Sequence, residues 1–121
     1  MAINKILLVD DSPTERHFLS SLLTKHGYVV VLAENGDESL AKAKLEKPDL
    51  IIMDVVMPGL NGFQATRAIT KDEETKHIPV IMCTTKGQET DKVWAVRQGA
   101  KDYVTKPVDQ AELLNKIAAL S

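Results

Sequence analysis

The chain has 121 residues, 44% of them hydrophobic, and a formal net charge of −2, which suits one domain with a real core and gives no basic surface for nucleic acid. No apolar stretch approaches the ~20 residues that span a bilayer, and the N-terminus lacks the charged, apolar and small-residue regions of a secretory signal. Cys83 is the only cysteine, so no internal disulfide can form, and a reducing cytoplasm is the expected location.

The predicted elements alternate between strand and helix, which favours a parallel sheet covered on both faces. The first strand covers residues 5–9. The first helix starts with Ser12 as N-cap, Pro13 at the first helical position and Glu15 as the third member of a capping box. Phe18, Leu19, Leu22 and Leu23 supply its apolar stripe, and Gly27 ends it. A second strand covers residues 28–33. Asn35-Gly36 reads as a turn, and a helix follows over 37–46 before Pro48. The third strand is Leu50–Met53. A loop from Met57 through Pro58-Gly59-Leu60-Asn61-Gly62 leads into a helix with Phe63, Thr66 and Ile69 at helical spacing. Residues 71–77 are polar and read as a surface loop. The fourth strand is 79–83, and a helix over 88–98 ends at Gly99. The fifth strand is 102–105. The last helix is capped by Asp109, has Glu112 as its box residue, and buries Leu113, Ile117 and Leu120.

Five short strands linked by right-handed crossovers fit a flavodoxin-like, doubly wound α/β fold. Its expected strand order is 2-1-3-4-5, with five helices. The chain ends with the fifth helix, so a single domain over 1–121 with no output domain is expected. In this order strands 1 and 3 are neighbours at the switch point, where ligands bind beyond the strands' carboxyl ends. Asp10 and Asp11 end the run Ile6-Leu7-Leu8-Val9, and Asp54 ends Leu50-Ile51-Ile52-Met53. Carboxylates ~4 Å apart repel by about 4 kcal/mol per pair at an effective dielectric of 20. A fold holds them together only with compensation. Mg²⁺ supplies it, being hard and oxygen-seeking, and Lys106, before Pro107 at the end of the fifth strand, adds an ammonium.

Val9-Asp10-Asp11-Ser12, Met53-Asp54-Val55-Val56-Met57-Pro58-Gly59, Cys83-Thr84-Thr85 and the stretch from Gly99-Ala100 to Lys106-Pro107 together resemble the receiver domains of two-component response regulators, the CheY-like family, over the whole chain. The runs from Gly59 to Thr66, from Thr84 to Trp94 and from Tyr103 to Asp109 further resemble single-domain regulators of chemosensory systems that control type IV pilus twitching. The resemblance implies that Asp54 is the nucleophile that takes a phosphoryl group as an acyl phosphate. It implies direct Mg²⁺ ligation by Asp11 and Asp54, with Asp10 acting through water and the Val56 backbone carbonyl as a further ligand. Lys106 is expected to pair with Asp54 at rest and with a phosphoryl oxygen afterwards. Thr84 is expected to hydrogen-bond the phosphoryl group, with Tyr103 following as the aromatic switch residue. The Lys106–Pro107 bond is expected to be cis. The expected partners are a histidine kinase or its phosphotransfer domain and a protein target on the face of the fourth helix, fifth strand and fifth helix; a phosphate sink is the alternative readout. No nucleic-acid or membrane partner is expected, and the chain is expected to be a monomer or weak dimer.

Several residues have plainer readings. Asp10-Asp11 alone could simply end a strand. Val93 and Trp94 read as core, Cys83 and Met57 as packing, and His17, His26 and His77 share no metal-ligand spacing with acidic residues. A flavin carrier would need a hydroxyl- and glycine-rich phosphate loop where Asp10-Asp11-Ser12-Pro13 stands. An aspartyl phosphatase usually has a second carboxylate two residues past its nucleophile, and that position is Val56. A receiver-like module that is never phosphorylated would not be expected to keep Asp10, Asp11, Asp54, Thr84 and Lys106 together. Val56 and Lys86, each two residues past Asp54 and Thr84, supply no group that orients water, so a long-lived acyl phosphate is expected.

Overall fold

The computed structural model describes residues 2–57, 59–85 and 89–121. Among these, five strands alternate with five helices: β1 Lys5–Val9, α1 Pro13–Lys25, β2 Val29–Ala33, α2 Gly36–Glu46, β3 Leu50–Asp54, α3 Gly62–Lys71, β4 Val80–Thr85, α4 Glu89–Arg97, β5 Asp102–Lys106 and α5 Gln110–Ala119. The start expected for α4 at Gln88 lies outside the described residues, as do Pro58, Lys86 and Gly87. The strands form one sheet in the order β2-β1-β3-β4-β5, and every pairing is parallel. This is the flavodoxin-like, CheY-like fold.

Side chains alternate across a strand with period two, so the sheet separates two cores. Leu7, Val9, Ile51, Met53, Val80 and Met82 pack with Ala43 of α2, Ala65 and Ile69 of α3, and Ala95 of α4. Ile6, Leu8, Leu50, Ile52, Ile81, Cys83 and Val104 pack with Leu19, Leu22 and Leu23 of α1 and Leu113 and Ile117 of α5. The central strands are covered on both sides, which explains their unbroken apolar runs. β2 is an edge strand, and Val29 and Leu32 remain exposed there.

Local chemistry refines several expectations. At the start of α1, Ser12 Oγ accepts from the Glu15 N–H at 3.3 Å. The other half of a capping box does not form, because the Ser12 N–H donates to Asp10 Oδ1 at 2.9 Å. The same single-sided cap holds α5, where Asp109 Oδ1 accepts from the Glu112 N–H. The reciprocal box occurs on α3, between Asn61 and Gln64. Asn35 is likewise an N-cap rather than a turn residue, accepting from the Glu38 N–H at 2.8 Å. Phe18 turns away from the α1 stripe and is exposed, and Leu120 is only half-buried. The polar stretch after α3 is a turn with a buried centre: Thr75 is fully enclosed and its Oγ1 donates to the Ile69 carbonyl at 2.7 Å. Val93 and Trp94 are exposed rather than core, since α4 turns Ala95 to the sheet. The Lys106–Pro107 bond is cis.

Candidate functional site

Strand register brings the polar residues together. Val9 pairs with Met53, so Asp10 and Asp54, the next residue on each strand, emerge side by side. Asp54 pairs with Cys83 and Thr85 with Lys106, which puts Thr84 and Lys106 along the same sheet edge. One carboxylate oxygen from each of Asp10, Asp11 and Asp54 lies within 4.8 Å of the others. Asp10 and Asp54 are nearly closed to solvent, at 2% and 5% exposure, whereas Asp11 is exposed. The Lys106 ammonium stands 2.8 Å from Asp54 Oδ1 and 3.3 Å from Asp10 Oδ2.

Burial pushes the Asp54 carboxyl up to about 6 despite the Lys106 hydrogen bond, and the charges of Asp10 and Asp11 add to the rise. Burial by itself would lower the Lys106 ammonium, but its hydrogen bond to Asp54 and the charges of Asp54 and Asp10 hold it above its usual value. One ammonium faces three carboxylates, so the ionised cluster is under-neutralised. A set of hard oxygen donors in that condition fits a hard divalent cation.

Backbone contacts fix these groups. The Asp10 N–H donates to the Ala33 carbonyl at 3.2 Å, and the Arg16 guanidinium donates to the Asp10 carbonyl at 2.7 Å while pairing with Glu34. Beyond Asp54, the Gly62 N–H donates to the Val55 carbonyl at 2.9 Å. α3 docks so closely there that a Cβ on Gly62 would stand 2.0 Å from the Asp54 carbonyl oxygen. Neither Arg16 nor Gly62 stood out in the sequence. Asn61-Gly62 signals a loop end, and nothing local marks an arginine one turn into a helix as a clamp on the preceding loop.

The remaining expected residues have contacts of their own. Thr84 is fully buried, and its Oγ1 donates to the Val104 carbonyl at 3.4 Å. Tyr103 is half-buried, with the Lys116 and Lys92 ammoniums 4.9 and 5.5 Å from its ring centroid. Lys116 also donates to Asp102 Oδ1 and to the Tyr103 carbonyl. Val56 is 68% exposed, and Lys86 lies outside the described residues. Burial pushes the Cys83 thiol up to about 12, in line with a packing role.

The structure aligns with the Vibrio cholerae chemotaxis protein CheY4 at a TM-score of 0.91 and 35% identity, covering 99% of this chain and 100% of that one. It also aligns with the receiver domain of the sensor histidine kinase PA1611 from Pseudomonas aeruginosa PAO1, a structure with a magnesium ion coordinated in its active-site cleft, at a TM-score of 0.89, 32% identity and 98% coverage of both chains. In sequence the chain is 63% identical over 116 residues to protein PilH of Pseudomonas aeruginosa, covering 96% of each. It spans 26% to 50% of other response regulators that it matches, such as PleD of Caulobacter vibrioides and PhoB of Pseudomonas aeruginosa. No helix among the described residues is long and apolar enough to cross a membrane. Residues 6–118 match the response regulator receiver domain model, and the chain belongs to that family.

Proposed function

We propose that this protein is a phosphoryl-accepting response regulator whose acceptor is Asp54, serving a chemosensory phosphorelay that controls type IV pilus twitching. The observation that carries the reading is the Asp54 carboxylate, almost closed to water, 2.8 Å from the Lys106 ammonium and within 4.8 Å of two more carboxylates. The donor is a phosphohistidine on a histidine kinase or its phosphotransfer domain. An Asp54 carboxylate oxygen attacks phosphorus, the new P–O bond forms as the donor's P–N bond breaks, and the imidazole leaves with the electron pair. Asp10, Asp11, Asp54 and the Val56 carbonyl are the residues that would hold Mg²⁺, Asp10 acting through water. The bound ion supplies positive charge to the phosphoryl oxygens.

Lys106 holds the Asp54 carboxylate in place before transfer and turns its ammonium to a phosphoryl oxygen afterwards. The Thr84 hydroxyl leaves the Val104 carbonyl for the phosphoryl group, and the Tyr103 ring follows, leaving the ammoniums of Lys92 and Lys116. The surface of α4, β5 and α5 thereby changes shape. Exposed Val93, Trp94 and Val96 on α4 favour binding of a target protein as the readout. The protein acts in the cytoplasm as a signalling switch that catalyses only its own phosphorylation and dephosphorylation.

The test is intact mass after incubation with Mg²⁺ and a small acyl-phosphate donor. The wild type should gain one phosphoryl group and Asp54→Asn none. A full gain by Asp54→Asn would overturn the assignment.

A further inference from the structure

A second site lies between the C-terminal turns of α3 and α4. A cavity of about 460 Å³ there is lined by Arg67, Lys71, Trp94 and Arg97, with Thr70 and Gln98 between them. Its walls are pinned to each other. Thr70 Oγ1 donates to the Gln98 carbonyl at 2.8 Å. Gly99, at φ +96°, lies so close that an added Cβ would stand 3.0 Å from the Thr70 side chain. The helices run antiparallel to the strands, so this cavity opens at the sheet edge away from Asp54.

Three lining residues are cations, and none of the described lining residues is acidic. Elsewhere Lys5, Arg16, Lys42, Lys44, Lys76, Lys106 and Lys116 each reach a carboxylate within 3.7 Å. Arg67, Lys71 and Arg97 reach none among the described residues, which is also true of Lys25, Lys47 and Lys101; what sets the three apart is that they line one cavity. Lys71 and Arg97 sit in the last turns of their helices, where a cation complements the helix dipole. That accounts for their presence but not for Arg67, which stands four residues before Lys71, a spacing at which like charges repel. The Arg97 guanidinium lies 5.5 Å from the Trp94 ring centroid, and Trp94 stays 48% exposed. An aromatic ring with one guanidinium over it and two further cations lining the same cavity suits a ligand that carries both a planar ring and a phosphate. The volume falls within the range of small-molecule sites.

We propose that this cavity binds a nucleoside phosphate, its base stacked on Trp94 and its phosphate held by Arg67, Lys71 and Arg97. Trp94 is the only tryptophan in the chain, so its emission, excited at the red edge to avoid absorption by the base, reports directly on the site. The protein is titrated separately with AMP, adenosine, inorganic phosphate and a polyglutamate peptide, and the backbone amide shifts of Thr70, Gln98 and Gly99 are followed in parallel. AMP should saturate at a concentration at least about tenfold below any of the other three. Arg67→Gln and Lys71→Gln should each raise the AMP midpoint by at least about fivefold with melting temperature unchanged. Four results would each overturn the proposal: no saturable response to AMP, inorganic phosphate or adenosine matching AMP, polyglutamate binding more tightly than AMP, or both variants binding AMP as the wild type does.

Discussion

Metal-free stability should fall as pH rises from about 4 to about 6.5, and Asp54 should be the cause. The Asp54 carboxyl is raised to about 6 from an ordinary value of 3.8, first by burial and then by the neighbouring carboxylates. The folded protein therefore keeps the Asp54 proton to higher pH than the unfolded chain does. Below the unfolded value both states are protonated and there is no penalty. Between the two values the unfolded chain loses its proton first, so stability declines as pH rises. Above about 6 both are ionised and the full cost is present. A shift of about two units corresponds to a ceiling of about 3 kcal/mol. The effective dielectric around even a buried carboxylate reduces this, and about 1.5 kcal/mol is the working figure. For a domain of this size that is roughly 5–8 °C in melting temperature. The assay is urea unfolding of wild type and Asp54→Asn in chelator across this pH range. The stability difference between the two proteins should move in favour of Asp54→Asn as pH rises. A difference that stays flat, or moves the other way, would refute the assignment of the shift to burial.

Further expectations concern the metal, the lysine and the backbone. Mg²⁺ at ten times its dissociation constant should stabilise the wild type by about 1.4 kcal/mol. In thermal melts Asp11→Ala should lose that gain and, in chelator, should melt no lower than wild type because a repulsion is removed. Lys106→Ala should still show the Mg²⁺ shift, while its phosphorylated form gives a muted NMR response across α4 and β5; wild-type shifts there would count against a coupling role. Gly62→Ala should destabilise the protein by at least about 2 kcal/mol in urea unfolding, because its Cβ would meet the Asp54 carbonyl oxygen and α3 would have to lift. A near-neutral effect would mean that α3 is not docked this tightly.

Element type and order were legible in the sequence because long apolar runs and helix stops carry them. Leu50–Met53 is apolar throughout since β3 is covered on both faces, and that pattern also announced where Asp54 would emerge. Asp10, Asp54 and Lys106 could be placed together because a parallel sheet aligns strand ends. What stayed hidden depends on three-dimensional competition. The Ser12 N–H goes to Asp10 rather than to Glu15, which no local pattern specifies. Trp94 and Val93 looked like core by residue type, yet the orientation of α4 is set by Ala95 packing on the sheet, which leaves both outside. Gly62 appeared as loop punctuation, whereas its value is the space that its missing Cβ leaves against Asp54.

The most direct measurement locates the phosphoryl group itself. The protein is phosphorylated with a small acyl-phosphate donor and Mg²⁺, then reduced with borohydride, which converts an aspartyl phosphate to homoserine. The digest is sequenced by tandem mass spectrometry. Homoserine should appear at position 54 and at neither Asp10 nor Asp11, and chelator should suppress it. Homoserine at another aspartate, or modification undiminished in chelator, would contradict the account.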